Sequence, residues 1–89
     1  MDDAHTSHGD VVKRLKRADG HLRKIVEMIE QGRRCTEVAQ QLAAVEAAVH
    51  KAKQVFIRDH IDHCLDGSLQ GGAEGRAVLA EFKEISKYL

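Results

Sequence analysis

The chain has 89 residues, 14 acidic against 14 basic, with 43% hydrophobic but only 3% aromatic residues and neither Trp nor Pro. That is one small domain whose core must come from Leu, Val, Ile and Ala, a helix-forming set, and a chain this short gains from oligomerisation. Two cysteines exclude a disulfide scaffold, and the least charged stretch, Val38 to His50, is too short to span a bilayer; with no signal-peptide pattern, a cytoplasmic protein without membrane contact is expected.

The opening "MDDAHTSHG", residues 1–9, reads as a mobile tail, followed by a single helical domain over 10–89. Asp10 is placed to cap a helix in which Val11, Leu15, Ala18, Leu22, Ile25 and Ile29 repeat at alternating spacings of four and three, over about 11–31, ending at Gly32. After "GRR" the same spacing returns as Val38, Leu42, Val45, Val49, Ala52 and Phe56, with no Gly before Gly67. It predicts a second helix of about thirty residues, roughly 45 Å long. The glycine-rich "DGSLQGGAEG" reads as a loop, and Val78, Leu79, Phe82, Ile85 and Leu89 mark a short third helix. The fold class is all-α: two long helices and one short.

The balanced charge hides a division. Residues 11–58 hold eleven Lys or Arg against five Asp or Glu, and the remainder carries the opposite excess. "KRLKR" at 13–17, Arg23 and Lys24 in helix one, and Lys51 and Arg58 in helix two could contact phosphates, although no helix-turn-helix, zinc finger or aromatic single-strand platform is present. A salt-bridged helix exterior would give the same composition.

"RDHIDHC" at 58–64 concentrates metal-ligand side chains. At about 100° per residue, with Cys35 as zero, His60 falls near 340° and Cys64 near 20°, while His63 turns away to about 280°. His60 and Cys64 can share one ion, but Cys35 is about 43 Å from Cys64 along a straight helix, so a third ligand from Cys35 belongs to another chain. An antiparallel two-fold pairing of helix two supplies it and sets Glu46 opposite the partner's Lys53. Cys35 stands in the first turn of its helix beside Arg33 and Arg34, where the helix dipole and two cations favour a metal-binding thiolate. Two sulfurs and one imidazole suit three-coordinate Cu(I); Zn(II) wants a fourth ligand, and Ni(II) or Co(II) more N or O donors. Two ordinary buried cysteines remain the bland alternative. No nucleophile with an adjacent base is present, and no enzymatic chemistry is expected.

Through "RLKRADGHL", Cys35, "QQLAAVEAAVHKA", and His60 with Cys64, residues 11–89 resemble the copper-sensitive operon repressor (CsoR) family, related to the nickel/cobalt repressor RcnR and the formaldehyde-responsive FrmR. The resemblance implies an antiparallel helical dimer assembling as a dimer of dimers, a homotetramer that binds double-stranded operator DNA when metal-free and releases it when its inducer binds. It further implies Cu(I) at one intersubunit Cys35/His60/Cys64 site per pairing, a copper chaperone as a donor, DNA-binding residues at Arg14 and Lys51 with Lys16 and Arg17 as neighbours, and Glu81 supporting the histidine ligand.

Departures from the family patterns bear on the inducer. Nickel/cobalt members place histidine where Cys64 stands and use an amino-terminal ligand, so a nickel or cobalt sensor here would recruit His63 or the tail residues His5 and His8. Formaldehyde sensors pair an amino-terminal proline with the first cysteine, and this chain has no proline. Persulfide sensors share the two cysteines but lack the histidine; a persulfide or thiol-redox repressor using Cys35 and Cys64 is the other alternative. His21 and His50 read as polar flanks of packed helices.

Overall fold

The computed structural model describes residues 7–68 and 72–89, apart from the side chains of 63–68 and 74. Its elements are α1 (His8–Glu30), α2 (Cys35–Ser68) and α3 (Gly72–Ser86), and no strand occurs among the described residues. None of these helices is long and apolar enough to cross a membrane.

The boundaries depart from expectation at three places. His8 and Gly9 belong to α1 rather than to a tail, and Asp10 sits inside the first turn instead of capping it. There its carboxylate accepts from Arg14 Nε, one turn on, at 2.8 Å. Gly67 does not end α2, which runs to Ser68, because one glycine weakens a helix by only about 1 kcal/mol. The expected loop shrinks as well: Gly72 to Gly75 belong to α3, and residues 69–71 lie outside the described residues.

The turn between α1 and α2 is as expected. Gly32 takes φ 73°, its N–H donates to Ile29 O at 3.1 Å, and Arg33 N–H donates to Met28 O at 3.0 Å. These two bonds form a Schellman motif, which satisfies the last carbonyls of α1 and requires a left-handed residue. Arg34 O accepts the first bond of α2, from Val38 N–H at 3.1 Å, and Arg33 grips Glu37 Oε2 through Nε at 3.0 Å and Nη2 at 2.7 Å.

Two compact units are distinguished, Gly9–Lys53 and the segment ending at His8 together with Gln54–Leu89. In the first, Val11, Ala18, Ile25 and Met28 of α1 are buried with Val45 and Ala52 of α2. The sequence seams are therefore only half inward. Leu15, Leu22 and Ile29 on α1, and Leu42 and Val49 on α2, stand 41–58% exposed. Their alternate places along α1 are taken by Arg14 and His21, both half-buried. The inward row thus reads Val11, Arg14, Ala18, His21, Ile25 and Met28, again spaced by threes and fours. In the second unit Ile57 and Gly75 are buried and Val78, Phe82 and Ile85 half-buried. Gly75 occupies a packed position of α3, which explains why a glycine-rich segment forms helix.

A Cβ at position 32 meets nothing within 4 Å, so substitution there is opposed by backbone conformation alone. Gly32→Ala is expected to lower stability by about 1–2 kcal/mol and Gly32→Asn by less, read from thermal or urea unfolding.

Candidate metal and nucleic-acid sites

Cys35 is the first residue of α2 and carries an exposed free thiol. It borders an apolar recess of about 320 Å³ with Ile29, Val38, Ala39 and Leu42, and Arg33 at the rim. Helix capping explains the placement: Gly32 and Arg33 close α1, Arg34 opens α2, and the next side chain projects from a helix start.

His60 lies on the later turns of α2. Its side chain is 16% exposed, and its Nδ1 is 3.7 Å from Glu81 Oε1 on α3. The imidazole packs on Phe56, one turn back, with ring centroids 4.7 Å apart at 49°. Glu81, which the resemblance sets beside the histidine, lies against it in the structure. Cys64 and His63 follow on the same helix, but their side chains, like all of His5, lie outside the described residues.

Beside His60 stands a residue assigned to the tail. The His8 ring stacks on Phe56 at 5.1 Å and 17° and lies 5.9 Å from the His60 ring. Its Nε2 is 3.7 Å from Asp59 Oδ2. His8 reaches this place because α1 begins there. Helical spacing sets Phe56, Asp59 and His60 within about one turn of α2, but nothing in the sequence indicates the arrival of His8. Among the described residues of the chain, no three His, Cys, Asp or Glu side chains are placed to hold a metal ion together.

The basic residues divide. Arg14 and Arg17 line an open cavity of about 160 Å³ with Ala18, His21 and Ala48, whereas Lys16 and Lys51 are exposed. His21 is more than a polar flank: its Nε2 is 2.6 Å from Gln41 Oε1, which fixes the ring between α1 and α2. His50 is exposed. The hydrogen bond from Arg14 holds the Asp10 carboxyl below the usual carboxylate range, against some desolvation, and the charges of Arg14, Arg17 and Lys13 add to it. Asp10 is thus an anion already docked on the basic face.

Comparison with known proteins agrees with the fold. Residues 7–89 match the profile of the metal-sensitive transcriptional repressors. The copper-sensing transcriptional repressor CsoR of Bacillus subtilis (strain 168) is 31% identical over 77 residues, covering 86% of this chain and 75% of that one. CsoR of Mycobacterium ulcerans (strain Agy99) is 32% identical over 77 residues, 86% of this chain and 65% of that protein's length. Among solved structures, the nickel-responsive transcriptional regulator InrS superposes with a TM-score of 0.79 at 32% identity, covering 90% of this chain and 89% of that one. With an all-helical chain, a cysteine opening α2 and a carboxylate-flanked histidine on its later turns, this chain belongs to the CsoR/RcnR family of metal-sensing transcriptional repressors and is not an enzyme.

Proposed function

We infer that the chain is a cytoplasmic Cu(I)-responsive repressor that binds operator DNA when metal-free and releases it when Cys35 of one chain, with His60 and Cys64 of another, holds Cu(I). The observation that carries this reading is the His60–Glu81 contact of 3.7 Å. A carboxylate this near one ring nitrogen can close to the hydrogen bond that orients metal-ligating histidines. The donor set, two soft sulfurs and one imidazole, fits Cu(I), and the copper-sensing relatives point the same way.

Assembly is supported by the exposed apolar row of α1, Val12, Leu15, Leu22, Val26 and Ile29, which another copy would cover. An antiparallel dimer of α2, doubled to a tetramer, brings Cys35 of one chain to its partner's end of α2. Arg14, Lys16, Arg17 and Lys51 contact the operator, and a copper chaperone is a suitable donor. Derepression follows only if the metal-bound arrangement has the lower affinity for DNA; a coupling of about 1–3 kcal/mol weakens binding roughly 5- to 150-fold.

One observation favours a second reading, a nickel or cobalt sensor. His8, at 5.9 Å from His60 between ring centroids, could add the nitrogen donor that Ni(II) prefers over Cu(I), and InrS is nickel-responsive.

Anaerobic Cu(I) titration is expected to saturate at one ion per chain, with tight binding lost in Cys35→Ala, His60→Ala and Cys64→Ala. Glu81→Gln should keep the stoichiometry and lower affinity about 10- to 100-fold. His8→Ala leaves Cu(I) binding intact; if it instead abolishes tight Ni(II) binding and Ni(II) alone releases DNA, the nickel reading replaces the copper one. In fluorescence anisotropy with a duplex selected by the protein from random-sequence DNA, Cu(I) should release the wild type. Equal DNA affinity with and without Cu(I) would sink the copper mechanism.

A further inference from the structure

The inward row of α1 breaks its own apolar pattern at Arg14 and His21, both half-buried. With Val45 buried between them along α2, Gln41, which meets His21, and Ala48 are the polar and small side chains near this pair. Side chains of that size cannot fill the space a pair of leucines would close, and an open cavity of about 160 Å³ remains, walled by Arg14, Arg17 and His21 and floored by Ala18 and Ala48. One water needs only about 10–15 Å³ by this kind of measure, so the cavity has room for a group of several atoms.

Its chemistry selects an oxyanion. Two guanidinium groups supply forked N–H donors, a geometry suited to phosphate. The third wall is fixed, because Gln41 Oε1 lies 2.6 Å from His21 Nε2. Arg14 already demonstrates the preference, since its Nε donates to the Asp10 carboxylate at 2.8 Å. That ion pair is exposed, with side chains 38% and 54% accessible, so it contributes little stability and yields readily to a doubly coordinated phosphate. Lys51 lies one turn beyond Ala48 on α2, which extends the positive surface along the second helix.

We propose that this cavity between α1 and α2 is a socket for a single phosphate of the DNA backbone, gripped by Arg14 and Arg17, with Ala48 kept small so that the phosphate can enter. The proposal rests on the DNA-binding reading above and sharpens it. A merely basic helix face attracts DNA through its charge count, whereas a socket also depends on shape. It fixes where one phosphate sits on the α1–α2 pair and so sets the register of the chain on the duplex.

Two charge-neutral variants separate shape from charge, measured by anisotropy with a fluorescent duplex selected by the wild type from random-sequence DNA, over a range of salt concentrations. Ala48→Leu is expected to weaken binding on the order of ten-fold and to reduce the salt slope by about one phosphate contact, although no charge is removed. Arg17→Lys keeps the charge and the slope but loses the fork, and should also weaken binding on the order of ten-fold. Sedimentation and circular dichroism check that Ala48→Leu keeps the wild-type assembly and fold; if it does not, Arg17→Lys decides. Wild-type affinity in both Ala48→Leu and Arg17→Lys, with Arg14→Ala and Arg17→Ala still weakened, overturns the socket and leaves the DNA-binding reading standing. Failure of the wild type to bind any duplex overturns both. Should inorganic phosphate at constant ionic strength bind the wild type tightly in calorimetry while Ala48→Leu holds DNA normally, the cavity serves a small phosphorylated ligand and the DNA socket is rejected.

Discussion

The packing of α1 against the first half of α2 is the constraint on which the unit from Gly9 to Lys53 depends. Its apolar contacts are few: Val11, Ala18, Ile25 and Met28 from one helix, Val45 and Ala52 from the other. Two of these six are alanines, which bring the helices close but bury little area. By burial alone such a pair is marginal, since each fully buried large aliphatic side chain contributes only about 1.5–3 kcal/mol before conformational entropy is subtracted. The exposed second row of α1, through Leu15, Leu22 and Ile29, is then a consequence. That uncovered row is the surface on which the assembly proposed above rests, and in that proposal a ligand held between copies alters the assembly.

The same thin interface explains why polar groups can enter it. Arg14 and His21 would be costly in a large dry core, where each would need full pairing. Here each lies at the edge of a narrow seam and is partnered, Arg14 by Asp10 and His21 by Gln41. The polar positions therefore weaken the seam modestly while giving the basic face a defined shape. Alanine at 18 and 48 contributes to both properties: it permits close approach of the backbones and leaves the space that the arginines border.

Much of this was legible in the sequence, and the failures have physical causes. The number of helices, the stop at Gly32 and the position of Cys35 at the start of α2 follow from local signals, because capping and the glycine conformation are decided within a few residues. Which apolar row faces inward was not legible. α1 carries two rows, and Val11, Ala18 and Ile25 fit a seam with Leu15, Leu22 and Ile29 as well as with Arg14, His21 and Met28; only the partner helix decides. The segment from Gly72 to Gly75 was misread as loop because glycine signals a break when it lacks packing, and Gly75 is packed. Helical phase separated His60 from His63 on one helix, and matching the family's last helix brought in Glu81, which lies against His60. His8 was missed because its position depends on tertiary approach.

The neighbourhood of His60 also bears on how one family scaffold can serve different metals. Phe56 gives the imidazole an apolar support, Glu81 lies 3.7 Å from Nδ1, and the His8 ring stands 5.1 Å from the Phe56 ring and 5.9 Å from that of His60. In the copper reading proposed above, a soft two-sulfur site needs only that His60 be well oriented, and Phe56 and Glu81 support that orientation without adding a donor. A harder, higher-coordinate ion needs additional nitrogen or oxygen ligands, and among the described residues His8, Asp59 and Glu81 lie nearby. In that same copper reading, the 3.7 Å contact between His8 and Asp59 favours the softer ion, because recruiting either side chain would first disrupt it. On that proposal, metal preference depends as much on what surrounds the histidine as on the cysteines, and the start of α1, which places His8, is an element through which it can be changed.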